Sequence, residues 1–488
     1  MRSLKPSSVP VKSAAQSRRL RRRATALAVG AAFALPHAAQ ALPTGGQVVS
    51  GSSAIATPSP TSLTINQATQ NSIINWQGFS IAGNESVAVT QPGAGSILFN
   101  RVVGNNPSEI FGRLSANGQI FLVNPGGVLF GRTASIDVGG LVATTLALSN
   151  ADFLAGRYNF TNAGGAGSVL NQGSITATNG YVALLGPQVA NEGVIAARMG
   201  TVALAAGDRV TLDMVGDGLI KVTVDESALN AAALNKGTIE ADGGNVLLTA
   251  KSANALLDTV INTEGVIRAN SIANRNGTIV LDGGDRGVVS VSGTLEARGA
   301  DSSTTGGTVK VLGQYVGLMG GANINASGDA GGGTALVGGN YQGTGSEFRA
   351  TATYMDRDAT ISADAITLGD GGKVIVWSDG FTSAHGTIWA RGGARGGNGG
   401  LIETSGHHIL DATGVRGGAG APNGRGGLWL FDPDTDVTIT TGATTNNTGS
   451  VGGLFTPIND VATSNILNTD INSVLDGGTS VVITTANA

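Results

Sequence analysis

The sequence predicts an all-β protein built as a right-handed parallel β-helix. Three observations carry this: an excess of glycine, a strand-sized unit repeated along the chain, and strict alternation within that unit. The chain has 488 residues, 77 of them glycine, with 13% charged and 4% aromatic residues. Globular domains average nearer a quarter charged. Glycine shows no collagen period, and Val, Ile and Leu are plentiful, so buried aliphatic surface is available to offset chain entropy.

The repeated unit is Gly-x-(Ile/Leu)-x-Ala. It occurs as GSITA at 173, GVIAA at 193, GTIEA at 237, GVIRA at 265, GTLEA at 293 and GTIWA at 386. A second unit follows each of the first five: GYVALL at 180, GTVALA at 200, GNVLLT at 244, GTIVLD at 277 and GTVKVL at 307. The offsets between their glycines are 7, 7, 7, 12 and 14. GKVIVW at 372 and the looser GLIETS at 400 continue the series.

Alternation sets the geometry. Positions three and five of the first unit are always aliphatic: Ile175/Ala177, Ile195/Ala197, Ile239/Ala241, Ile267/Ala269, Leu295/Ala297, Ile388/Ala390. Position four is Thr176, Ala196, Glu240, Arg268, Glu296 or Trp389. Period two with one constrained face is a strand with one buried side. The second unit points Val182/Leu184, Val202/Leu204, Val246/Leu248, Ile279/Leu281 and Val309/Val311 inward, with Lys310 outward. Short strands with glycine corners are the signature of a solenoid. A coil of roughly 22 residues would give about 20 coils and a rod of order 100 Å. A sandwich of hairpins would not require the same inward pair in every coil.

The ends and insertions are distinct. Arg18, Arg19, Arg21, Arg22 and Arg23 precede an apolar run, Ala24 to Leu35, and then Ala39-Gln40-Ala41. This is a secretory signal over 1–41, cleaved between Ala41 and Leu42. The run is short for a membrane anchor, and no later segment is long enough to span. Residues 1–41 hold eight of the 29 basic residues and none of the 33 acidic ones, so 21 against 33 leaves a net charge of −12. That argues against a nucleic-acid partner. There is no cysteine, which suits a chain that must pass a pore unfolded. DRVTLDMVGDGLIKVTVD, 208–225, reads as an extra-helical β-hairpin turning at Gly216-Asp217-Gly218. SALNAAALN, 227–235, reads as a helical turn beside it.

Residues 42 to about 145 lack the coil repeat and read as strands capping the first coil. They contain NRVVGNNPSEIFGRLSANGQIFLVNPGGVLFG, 100–131. This stretch resembles the N-terminal secretion domain of two-partner secretion exoproteins of the filamentous haemagglutinin and high-molecular-weight adhesin type. The resemblance covers 42–290, with 291–488 as the continuing repetitive shaft. It implies a surface adhesin, exported by an outer-membrane barrel transporter with periplasmic domains that binds the unfolded chain, and a host or bacterial surface receptor. It points to Asn124-Pro125-Gly126-Gly127 as the transporter-recognition turn. The family's turn is Asn-Pro-Asn-Gly, so Gly126 departs. If the third turn position takes a positive φ, glycine serves as well as asparagine. As a purely structural corner the four residues make equal sense.

Other chemistry is thin. His385, His407 and His408 are the histidines of the mature chain, with no obvious nucleophile motif beside them. Adjacent strand residues such as His407-His408 would face opposite ways. Asp432, Asp434 and Asp436 alternate and read as a solvated corner rather than a Ca²⁺ site, since the EF-hand glycine is missing. No catalytic, cofactor or metal site is expected. Sequons at Asn84, Asn159, Asn276 and Asn446 fit chance. The alternatives are a carbohydrate-active enzyme on a β-helix, which needs convergent acids, or the stalk of a contact-dependent inhibition toxin, which needs an effector domain where 430–488 reads as more strand and turn.

Overall fold

A computed structural model of the protein describes residues 42–177, 180–214, 219–253, 259–273, 275–441 and 463–485. The signal segment with Ala39 and Ala41, the hairpin turn at 215–218 and the sequon at Asn446 lie outside the described residues.

Parallel coils wrap one continuous core, with three strands to a coil. The first face has 14 strands and carries the first unit, as in Ser174–Thr176 and Val194–Ala196. The second has 15 and carries the second unit, as in Tyr181–Gly186 and Thr201–Ala206. A third face of 13 strands, with Gln188–Asn191 and Ala232–Asn235, completes each coil. Ile175, Ile195, Ile239, Ile267, Leu295, Ile324, Ile361 and Ile388 form one column in register, all fully buried. Each such side chain contributes about 1.5–3 kcal/mol by leaving water. The leading glycines also stack. A Cβ on Gly237 would meet the carbonyl oxygen of Gly193, and one on Gly265 that of Gly237. The corners therefore approach too closely for any side chain.

Outward positions of the first unit pair as well. Arg268 reaches Glu240 at 3.0 Å and Glu296 at 2.9 Å, joining three coils by half-exposed ion pairs.

The coil is longer, and the rod shorter, than expected. Equivalent residues are 20 apart from Asn171 to Asn191, but 44 from Asn191 to Asn235 and 28 from Asn235 to Thr263. The 44-residue step holds the outlying strands Arg209–Met214 and Ile220–Glu226. Among the described residues the second face's fifteen strands at about 4.8 Å give roughly 70 Å.

The coils also begin earlier than the repeat suggests. Ser62–Gln67 already pairs in parallel with Ser86–Thr90, and Asn71–Trp76 with Ile97–Val102. Before them, Gln47–Ser50 pairs antiparallel with Asn71–Trp76 and Ser53–Ser59 antiparallel with Ser62–Gln67. These two strands cover the exposed edge of the first coil, the edge that would otherwise recruit another chain.

The hairpin is present as Arg209–Met214 and Ile220–Glu226, antiparallel, with Tyr158–Thr161 beside it. It lies on the outside of the second face. There Phe99, Phe121, Val142, Ala183 and Ala203 form an outward column. They are buried with Val210, Leu212, Ile220, Val222 and Val224, and with Phe153 from the short helix Asn150–Leu154. The helical turn expected at 227–235 is not formed: Ala232–Asn235 is a third-face strand, its Ala233 and Asn235 in register with Ile261 and Thr263. Its alanines suit a helix locally, but pairing on both edges prevails. The reverse occurs at the other end, where Asn468–Asp476 is a helix in a region expected to hold only strands.

Candidate transporter-recognition turn

Gln119–Val123 ends on the second face and Val128–Phe130 starts on the third. Asn124-Pro125-Gly126-Gly127 is the corner between them. Both strands run parallel to their neighbours, so the chain bends here and does not reverse. The Gly127 N–H donates to the Asn124 carbonyl at 3.0 Å, closing a β-turn. The Gly126 N–H donates to Asn124 Oδ1 at 2.9 Å, an Asx turn that fixes the asparagine. Positive φ falls on Gly127, at 122°, and not on Gly126. The expectation of a positive φ at the third position is therefore corrected. The Asx bond holds the turn, and a Cβ at Gly126 would be a tight fit, 3.1 Å from both Asn105 O and Asn124 Oδ1, that small shifts could accommodate.

Asn124 is fully buried. Its Nδ2 donates to Asn106 O and to Ser108 Oγ, each at 3.0 Å, which ties the corner to the preceding coil. Its backbone N–H donates to Thr144 O, at 2.9 Å. On the other side Val128 N–H donates to Ser168 O at 3.0 Å. Pro125 is half-buried and Gly126 exposed. In the folded protein the asparagine is thus a joint between stacked corners, with no free polar atom at the surface for a partner to read.

Other predicted residues lie elsewhere. Leu42 is buried at the cap, and its N–H donates to Glu85 Oε2 at 2.9 Å. Asp432 accepts from Gln342 Nε2 at 3.2 Å and from the Thr484 hydroxyl, whereas Asp434 faces His407 Nδ1 at 3.2 Å. The exposed Asp436 accepts the Ser464 N–H through its backbone carbonyl, so the three acids do not converge. Among the described residues no group of three His, Asp or Glu side chains is placed to hold a metal ion. His407 and His408 occupy a bend between strands rather than a strand. Their rings lie side by side, 5.3 Å apart, contrary to the alternation argument.

His385 does have a serine and an acid beside it, which the sequence did not reveal. Nε2 is 2.7 Å from Ser383 Oγ and 3.6 Å from Asp411 Oδ2, while Nδ1 is 2.7 Å from Thr413 O. A triad needs the acid on the ring nitrogen opposite the serine. Here both share one nitrogen, and Ser383 is buried.

Sequence reasoning missed the third face and its asparagines. Asn171 Nδ2 donates to Asn191 Oδ1, and Asn191 Nδ2 to Asn235 Oδ1, both at 2.8 Å. The Asn two residues before each leading glycine, in VLNQG, VANEG and ALNKG, was the available signal.

A capped stack of parallel coils with this corner defines a secreted β-helical exoprotein. A family model described as the TPS secretion domain matches residues 39–297. The chain belongs to that family, the exported partners of two-partner secretion, which cross the outer membrane and are extracellular or surface-associated. The crystal structure of the HMW1 secretion domain from Haemophilus influenzae superposes with a TM-score of 0.71 at 31% identity, over 80% of this chain and all of that one. The heme/hemopexin-binding protein of Haemophilus influenzae strain Rd is 35% identical over 265 residues. A second Haemophilus influenzae protein of that name is 30% identical over 242 residues. These stretches are 52% and 45% of this chain but only 28% and 26% of the two relatives. Among the described residues no helix is long and apolar enough to cross a membrane.

Proposed function

We propose that this chain is the passenger of a two-partner pair. Residues 1–41 are removed between Ala41 and Leu42. Residues 42–290 are the secretion domain that an outer-membrane barrel with periplasmic domains binds, and 291–488 are shaft that carries adhesive surface. The chain acts by binding and has no catalytic role.

The observation that carries the reading is the coil stack itself. Strand pairing joins each coil only to its neighbours, so the rod can grow from the capped end as the chain emerges, and folding outside biases movement outward. Asn124 supports a particular order of events. Its side chain is spent on Ser108, Asn106 and Gly126 once folded. A transporter reads it before the corner closes, when strand segments can also add to a sheet edge of the barrel's periplasmic domains.

The test is co-expression with a candidate barrel in a Gram-negative host. Protein should reach the medium or cell surface only with the barrel and only with 42–290 intact. Export without any barrel, or of 291–488 alone behind the same signal, would overturn the reading.

A further inference from the structure

Glu85 is an acid buried at the cap, 7% exposed. Its Oε2 accepts two N–H groups, from Leu42 at 2.9 Å and from Ala82 at 2.8 Å. Among the described residues no lysine or arginine forms an ion pair with it. A carboxylate taken out of water with only neutral donors leaves its charge uncompensated.

Leu42 is held at this place by more than that bond. Its side chain is 8% exposed and belongs to the main core, together with Trp76, Phe79 and Ile81. Two residues on, Thr44 pairs antiparallel with Gly78, donating to Gly78 O and accepting from Gln77 N–H, both at 2.9 Å. The nitrogen of Leu42 is therefore held against the carboxylate by its own buried side chain and by the pairing at Thr44.

We propose that Glu85 is the docking site for the α-ammonium group of the processed chain, formed when the signal is removed at Leu42. Before cleavage, Leu42 N is an amide with one hydrogen and no charge. Hydrolysis of the bond between residues 41 and 42 consumes one water, whose oxygen ends in the carboxylate of Ala41 and whose two hydrogens both end on Leu42 N, which becomes an ammonium group. The neutral hydrogen bond becomes a charge-assisted one with a matched ion pair, the stronger class. The cap, and with it the covered edge of the first coil, reaches full stability only after processing. The inference rests on the cleavage position proposed above.

Two measurements separate the claims. Mass spectrometry of exported protein should find Leu42 as the first residue; any other first residue overturns the cleavage reading. The pairing is tested on chain 42–488, released by a protease that leaves no extra residue, against the same chain with Gly-Ser before Leu42. The extension keeps the Leu42 amide but removes its charge. It should raise the unfolding equilibrium constant of the cap by about tenfold or more in the native protein and leave that of Glu85→Gln unchanged. Equal stability of the two native chains, or an equal loss in Glu85→Gln, would overturn the pairing. Should Glu85→Gln fail to fold, amine labelling decides. The native Leu42 amine should acylate at least about tenfold more slowly than that of the extended chain, as a paired ammonium does, and equal rates would end the proposal.

Discussion

Trp76 Nε1 donates to Asn100 Oδ1 at 3.0 Å, inside the core between the first and second coils, with both residues about 1% exposed. Asn100 stands in an otherwise aliphatic inward column, between Ile74 and Leu122. Only a donor in the core makes an amide tolerable there. Trp76→Phe keeps the ring and deletes the donor, leaving the amide oxygen without this partner. It should cost about 1–3 kcal/mol. Asn100→Leu in the same background should recover most of it, since a polar pair replaced by apolar groups is close to neutral. Urea unfolding of the four chains would show this as strong non-additivity. Additive losses would mean that the pair does not matter.

Asn124 is expected to matter twice, once in folding and once in export. Asn124→Ala loses the bonds to Asn106, Ser108 and Gly126. It should destabilise the corner by about 1–3 kcal/mol. Ser108→Ala loses one of those bonds and leaves the asparagine in place. If the transporter reads the unfolded asparagine, Ser108→Ala should be exported at the native rate and Asn124→Ala should accumulate in the periplasm. Parallel export defects that track stability would make the turn a corner only.

How much of this was legible follows from which side chains face the core. The inward Ile-Ala pairs of the first unit declared their face because every coil repeats them against the same neighbours. The third face escaped notice because its inward residues vary, as with Val189, Ala233 and Ile261, and the feature that three successive strands share is a buried asparagine, which reads as a loop residue. The early coils escaped for a related reason. Leu63, Val87, Leu114 and Ile136 occupy the same column as Ile175, but of these four Leu114 alone, in Gly112-Arg113-Leu114-Ser115-Ala116, has a glycine at the repeat's spacing. In the corner, the sequence located Asn124 but not its burial, because its partners Asn106 and Ser108 belong to a different coil.

The asparagine ladder should couple neighbouring coils. Asn191 is fully buried, accepting from Asn171 and donating to Asn235. Asn191→Ala leaves a donor on Asn171 and an acceptor on Asn235 without these partners, at a cost of about 1–3 kcal/mol each. Hydrogen exchange should rise at 171–173 and 235–238 as well as at the mutated coil, and should fade within a few coils, because a solenoid transmits only through neighbours. Uniform loss of protection along the rod would contradict nearest-neighbour coupling.

Glu403 gives the shaft a pH dependence of definite sign. It faces outward on the second face, in register with Ile375 and Leu430, yet is fully buried because the segment 338–350 lies over it. The Gln342 N–H donates to both carboxylate oxygens, at 3.2 and 2.9 Å. Burial lifts the carboxyl from 4.5 to about 7, against the opposing pull of the Gln342 and Ser405 bonds; Asp432 raises it further and Lys373 lowers it. An acid whose folded pKa is raised binds more protons when folded. Its contribution is whole below 4.5 and is lost as pH rises through about 7. The loss is of the order of 3 kcal/mol. Hydrogen exchange at 338–350 should therefore be slower at pH 5 than at pH 8 after correction for intrinsic rates. Glu403→Gln, which cannot ionise, should remove that difference. A variant that keeps it would place the titrating group elsewhere.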